Sequence, residues 1–222
     1  MLLFAAAPFG AQSPPPRDVD LDHIILSTPS LAQGIEEFTR LSGVVPKRGG
    51  QHPLAGTENA LITLGSGHYL ELLAPIVARS DSSNQHLTPT GWALHTTALP
   101  ALIDRVRSAG LPLLGPLPGS REMPDGTLLQ WRTANTGGAS GLELAPFFIE
   151  WAAGTPHPST TSPEGCRLVK WELVASDTGK LQAFFRAAGY RADVRAGPTA
   201  ARRLTIECPK GQVVFSSERP RR

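Results

Sequence analysis

The chain has 222 residues, 41% of them hydrophobic and 18% charged, with a net charge of +2. That length allows one large domain or two to three small modules with cores of their own, and the composition excludes a disordered chain or a coiled coil. The charge is too small for an electrostatic grip on nucleic acid, and no apolar run reaches the roughly 18 residues of a membrane-spanning helix, so neither a nucleic-acid nor a membrane partner is expected.

Residues 1–19 read as a disordered leader or a signal remnant. The opening from Met1 to Ala11 resembles the apolar core of a signal peptide, but the basic segment that should precede such a core is missing. A cytoplasmic protein is the expectation, with export as the alternative. A first module covers 20–79. Residues 21–27 read as a strand bounded by Thr28-Pro29-Ser30, and 31–41 as an amphipathic helix with Leu31, Ile35, Phe38 and Leu41 on one face. Ser30 suits its N-cap, and Gly43 stops it. Val44-Val45-Pro46 begins a second strand, 49–53 is a loop, and 59–64 and 68–73 are strands around Gly65-Ser66-Gly67.

A second module of the same β-α-β-β-β order covers 80–158 and opens on a polar linker. Its strand is 92–97, its helix 99–109, and its closing strands 111–114, 127–131 and 146–151, with Pro112 pushing the first of these to an edge. A Pro/Ser/Thr linker leads to a third, similar module at 165–218, with a helix over 178–188. Repetition of this kind decides the architecture: an α+β protein of βαβββ modules. Cys166 and Cys208 are too few for a disulfide framework and fit no zinc spacing, so buried free thiols are expected, with a single bridge as the alternative. The arginines of 219–222 read as a solvated tail.

Two strands carry a lone carboxylate in an apolar run: Tyr69-Leu70-Glu71-Leu72-Leu73 and Phe147-Phe148-Ile149-Glu150-Trp151. Side chains alternate along a strand, so Tyr69, Glu71 and Leu73 share one face, as do Phe148 and Glu150 in the second run. An ionised group in such a place needs a partner, a metal or water. Matching contexts suggest a duplicated unit around a polar cavity; a half-wet sheet is the plainer alternative. There is no nucleophile elbow and no glycine-rich phosphate loop.

Taken together, Leu21-Asp22-His23-Ile24-Ile25-Leu26, Gly56-Thr57-Glu58-Asn59, Tyr69-Leu70-Glu71-Leu72, Gly91-Trp92-Ala93-Leu94 and Pro146 to Trp151 resemble the glyoxalase-like domain family of the vicinal oxygen chelate superfamily. The resemblance covers 21–158 well and the third module only by pattern. It implies that the first two modules pair into a half-open barrel. The third, left without a partner, is expected to be appended or to close a second barrel across a homodimer. The resemblance also implies a divalent ion (Zn, Mn, Ni or Fe) held by His23, Glu71 and Glu150, which would polarise two substrate oxygens. The fourth ligand position falls on Gly91, which has no side chain to offer; His95, four residues on, faces the same way in a regular strand. In the third module that position falls on Lys170. The function implied is a metal-assisted lyase, isomerase or dioxygenase acting on a small oxygenated molecule, with Glu150 or His95 moving a proton. The alternative is a metal-free protein that binds a small molecule in the same pocket. His52, Thr57, Asn59, Tyr69, Trp92 and Trp131 are the expected pocket lining.

Overall fold

The structure, a computed structural model, describes residues 18–77 and 86–218. The leader apart from its last two residues, part of the first linker (78–85) and the arginine tail (219–222) lie outside the described residues, and so do the expectations about them. The first module runs β1 (Val19–Ser27), α1 (Leu31–Ser42), β2 (Lys47–His52), a 3-10 turn (Pro53–Ala55), β3 (Thr57–Gly65) and β4 (His68–Pro75). Helix α1 follows its apolar spacing and buries Leu31, Gly34, Phe38 and Ser42. Gly43 ends it in the left-handed conformation (φ 81°), donating its N–H to the Thr39 carbonyl. Ser30 occupies the N-cap position, although its side chain makes no capping bond.

The second module runs β5 (Thr88–Thr96), α2 (Leu99–Ser108), β6 (Leu114–Glu122), β7 (Leu128–Asn135) and β8 (Phe147–Trp151); a short α3 (Pro158–Thr161) lies in the linker beyond. Two segments correct the sequence reading. Gly49 to His52, expected as a loop, belongs to strand β2, and β6 begins where the expected strand 111–114 ends. Pro116 and Pro118 disguise β6, and its position at the sheet edge tolerates them.

Eight strands form one sheet in the order β2-β3-β4-β1-β5-β8-β7-β6. At its centre β1 and β5 are antiparallel, and each is flanked in parallel by the last strand of its own module. The two halves are therefore alike about the β1–β5 junction. The sheet curls until its end strands β2 and β6 touch, giving the half-open barrel. Strands β3, β4, β1 and β5 are buried on both faces, which is why they read as near-continuous apolar runs.

The third module runs β9 (Arg167–Ala175), α4 (Gly179–Ala188), β10 (Asp193–Ala196), β11 (Ala201–Cys208) and β12 (Gly211–Ser216). It keeps the element order of the other two but not their strand order, which is β10-β9-β11-β12. In the first two modules the opening strand lies at the module's edge and is free to pair with its twin. Here β9 is enclosed by β10 and β11, and the module's edges are β10 and β12. The module is fastened to the barrel through a shared core. Phe215 stacks on Phe38, Phe184 meets Phe148, and Trp171, Phe185 and Tyr190 surround Trp92. Trp92 is therefore not a pocket residue: it is 1% exposed and its indole N–H donates to the Leu144 carbonyl at 2.9 Å. Cys166 and Cys208 form a disulfide. The β9–β11 register, which sets Arg167 opposite Glu207, brings the two cysteines face to face and corrects the expectation of free thiols. Among the described residues no helix is long and apolar enough to cross a membrane.

Candidate functional site

Inside the barrel lies a cavity of about 430 Å3. Its walls are largely aromatic and aliphatic, and its floor carries a line of buried polar groups that joins the two modules. The line begins at Asp22. Consecutive strand residues ordinarily face opposite ways, but the β1–β5 register slips between Leu21 and His23, and this bulge lets the Asp22 carboxylate reach the next side chain. Asp22 Oδ1 lies 2.6 Å from His23 Nδ1. Its Oδ2 accepts from Trp151 Nε1 at 2.9 Å and lies 3.1 Å from His157 Nε2.

Burial would push the Asp22 carboxyl up, but the hydrogen bonds and charges of His157 and His23 outweigh it and hold the group far below the usual carboxylate range. Asp22 is therefore an anion, and an anionic carboxylate accepts only. His23 Nδ1 must carry the proton it donates, so in the neutral ring the lone pair is on Nε2. That nitrogen is 3.6 Å from Glu71 Oε2. The ring is fixed by stacking on Tyr69 (centroids 4.5 Å apart) and by the edge of Phe147 at 5.4 Å. Burial, reinforced by the Asp22 and Glu71 carboxylates, raises Tyr69 well above an ordinary phenol and keeps it neutral.

Beyond Glu71 the line continues into the other half of the barrel. Asn59 Nδ2 donates to Glu71 Oε1 at 2.6 Å, and Arg121 Nη1, from β6, donates to Asn59 Oδ1 at 2.6 Å. Gly49 makes this possible, because a Cβ there would come within 2.6 Å of both Asn59 Oδ1 and Arg121 Nη1. Gly49 is thus the imprint of the Asn59–Arg121 contact, while Gly50 has a positive φ (130°) and lies against the Glu122 carbonyl. His52 lies 3.2 Å from Thr57 Oγ1 and meets the ring of Trp131; burial lowers its pKa, with Glu71 in partial opposition, and leaves it neutral at pH 7.

Of the residues expected from sequence, the structure brings His23, Glu71, His52, Thr57, Asn59, Tyr69 and Trp131 to this cavity, and leaves Trp92, His95 and Glu150 outside it. Glu150 is displaced by parity and register. In the first module His23 pairs with Tyr69, and Glu71 lies two residues on; in the second, Ala93 pairs with Phe147. The place equivalent to Glu71 is thus Phe147, and Glu150 points to the other face. There it pairs with Arg132 and accepts from the Leu99 N–H at 3.3 Å, serving the first turn of α2, whose Ala98 offers no capping side chain. His95 and Glu150 share a separate depression behind Trp131 and Trp151. Sequence reading missed Asp22, Arg121 and His157. The adjacency of two polar residues, Asp22-His23, in an apolar strand was the one available signal.

The four ligand positions implied for a divalent ion therefore hold His23, Glu71, Gly91 and Phe147. Two donors, one already engaged by Asn59, do not fit such an ion, and among the described residues no three His, Cys, Asp or Glu side chains gather to hold one.

A half-open barrel of two βαβββ modules around one polar cavity is the vicinal oxygen chelate architecture. Within that class the chain belongs to the glyoxalase-like domain family, whose profile matches residues 21–189. No curated protein matches the sequence significantly. Among solved structures, a hypothetical protein from Staphylococcus aureus is similar over 89% of this chain and 85% of that one, with 17% identity and a TM-score of 0.59. Methylmalonyl-CoA epimerase from Mycobacterium tuberculosis is similar over 60% of this chain and 87% of its own, with 19% identity and a TM-score of 0.43. At 17% identity the likeness to the Staphylococcus aureus protein extends to the fold alone.

Proposed function

We propose that the barrel binds a small oxygenated molecule and transforms it by acid–base chemistry supplied by its own side chains, as an isomerase or lyase. The observation that supports this most is the Asp22–His23 contact, which leaves the His23 Nε2 lone pair beside Glu71 in the cavity. A carbon-bound proton next to a substrate carbonyl passes to Nε2, and the bonding electrons move onto the carbonyl oxygen as an enolate. The imidazolium then formed lies between the Asp22 and Glu71 carboxylates, which favour it. Return of the proton to another face or neighbouring carbon completes an isomerisation; loss of a β-substituent completes an elimination. The metal-assisted version of this reaction, and the dioxygenase reading with it, lacks the donors for its ion among the described residues.

The test is solvent exchange. A panel of 2-oxo acids and ketones is incubated with the protein in D2O, and loss of the α-proton signal is followed by NMR. Exchange should fall at least about a hundredfold in His23→Gln. Exchange that survives this substitution unchanged would overturn the assignment. The second reading, a metal-free binding protein, draws on Phe147, an inert side chain where a ligand to metal is implied. It expects tight binding with no exchange at all.

A further inference from the structure

Arg121 is 4% exposed, yet it lines the cavity. Among the described residues its guanidinium makes one hydrogen bond, to the neutral Asn59 amide oxygen, and no ion pair; Nε is buried without a partner. Burial pulls its pKa below the ordinary arginine range, and the charge of Glu71 opposes this from a distance. A buried cation of this kind is costly unless an anion meets it. The carboxylates of the polar line are already engaged. Asp22 holds His23, His157 and Trp151, and Glu71 holds Asn59 on one oxygen and faces His23 with the other.

We propose that Arg121 is the anchor for a carboxylate on the substrate, so that the molecule this cavity takes is a small organic acid with an apolar body. A carboxylate matches the planar guanidinium, and Nη1 alone is committed to Asn59. The apolar body lies along Tyr69, Phe147, Trp131 and Trp151. Because Arg121 and His23 stand at opposite ends of the Asn59–Glu71 bridge, an acid seated on Arg121 extends the carbons beyond its carboxylate, in a 2-oxo acid the proton-bearing carbon next to the carbonyl, toward the His23 end. The Arg121–Asn59 bond aims the guanidinium, and Gly49 leaves it the room to be there. The inference rests on the reading that this cavity is the substrate site. It does not require that His23 move a proton.

The experiment compares 4-phenyl-2-oxobutanoate with its primary amide by calorimetric titration of the full-length protein. The acid should bind about tenfold or more tightly than the amide, as a charge-assisted pair requires. Arg121→Met should abolish that preference by weakening the acid alone, and Arg121→Lys should keep part of it. Equal affinities for the two compounds in the wild type would overturn the proposal, as would no binding of either at about 10 mM. A preference that survives in folded Arg121→Met would do the same. If Arg121→Met does not fold, the wild-type comparison and Arg121→Lys decide. His23→Gln should leave the acid's preference over the amide intact, so failure of the exchange reaction and failure of the anchor give different results.

Discussion

At Asp22 burial favours the protonated acid, while two imidazoles and an indole N–H favour the anion, and the anion wins. Because the folded state holds this carboxyl below its unfolded value, the folded chain binds fewer protons in acid than the unfolded one. The stability it contributes is fully present above about pH 4 and is lost as the pH falls further toward the folded value. Asp22→Asn should therefore cost about 3 kcal/mol at pH 7, with a smaller difference below pH 4, read by urea unfolding across pH. It should also cut exchange by about as much as His23→Gln, since an amide no longer fixes the tautomer that leaves Nε2 free. Glu150 makes the opposite case. Glu150→Gln should cost roughly 1 kcal/mol through its pair with Arg132 and its bond to α2, and leave ligand binding unchanged.

Strand and helix positions were legible wherever one face is apolar and the other is not, as in α1, or where both are buried, as in β3 and β4. Strand β6 was not, because its prolines and glycines read as loop, and with it went Arg121. The first module's half of the site was readable because His23, Asn59, Tyr69 and Glu71 all lie on strands that the residue pattern marks. The second module's half was not: an apolar run containing one glutamate gives the period of β8, but its register against β5 is set by pairing that no local pattern carries. The same limit hid the β9–β11 pairing that joins Cys166 to Cys208, 42 residues apart. That bridge should stabilise the protein by roughly 2–4 kcal/mol, so Cys208→Ser, or reduction of the wild type, should lower the melting temperature, and thiol titration of the native unreduced protein should find no free cysteine.

For the molecule as a whole, the question is whether the third module is an ornament on the barrel or part of it. Its outward-facing side is polar, with Lys170, Glu172, Asp193 and Arg195 paired among themselves, while its apolar side fills the space behind β5 and β8. Trp92 and Phe148 belong to the barrel strands that build the cavity, and they are almost wholly buried only because Trp171, Phe185 and Phe184 cover them. Removing that cover would expose two large aromatic side chains, each worth roughly 1.5–3 kcal/mol of burial, on the strands that flank His23 and Phe147. Phe184→Ala should thus destabilise the protein by about 3–5 kcal/mol. It should do so in a single transition: tryptophan fluorescence, which reports Trp131 and Trp151 at the cavity as well as Trp92 and Trp171 at the junction, should melt together with the circular dichroism of the sheets. A separate early transition, with the cavity still binding ligand, would mean that the third module unfolds on its own and that the barrel stands without it.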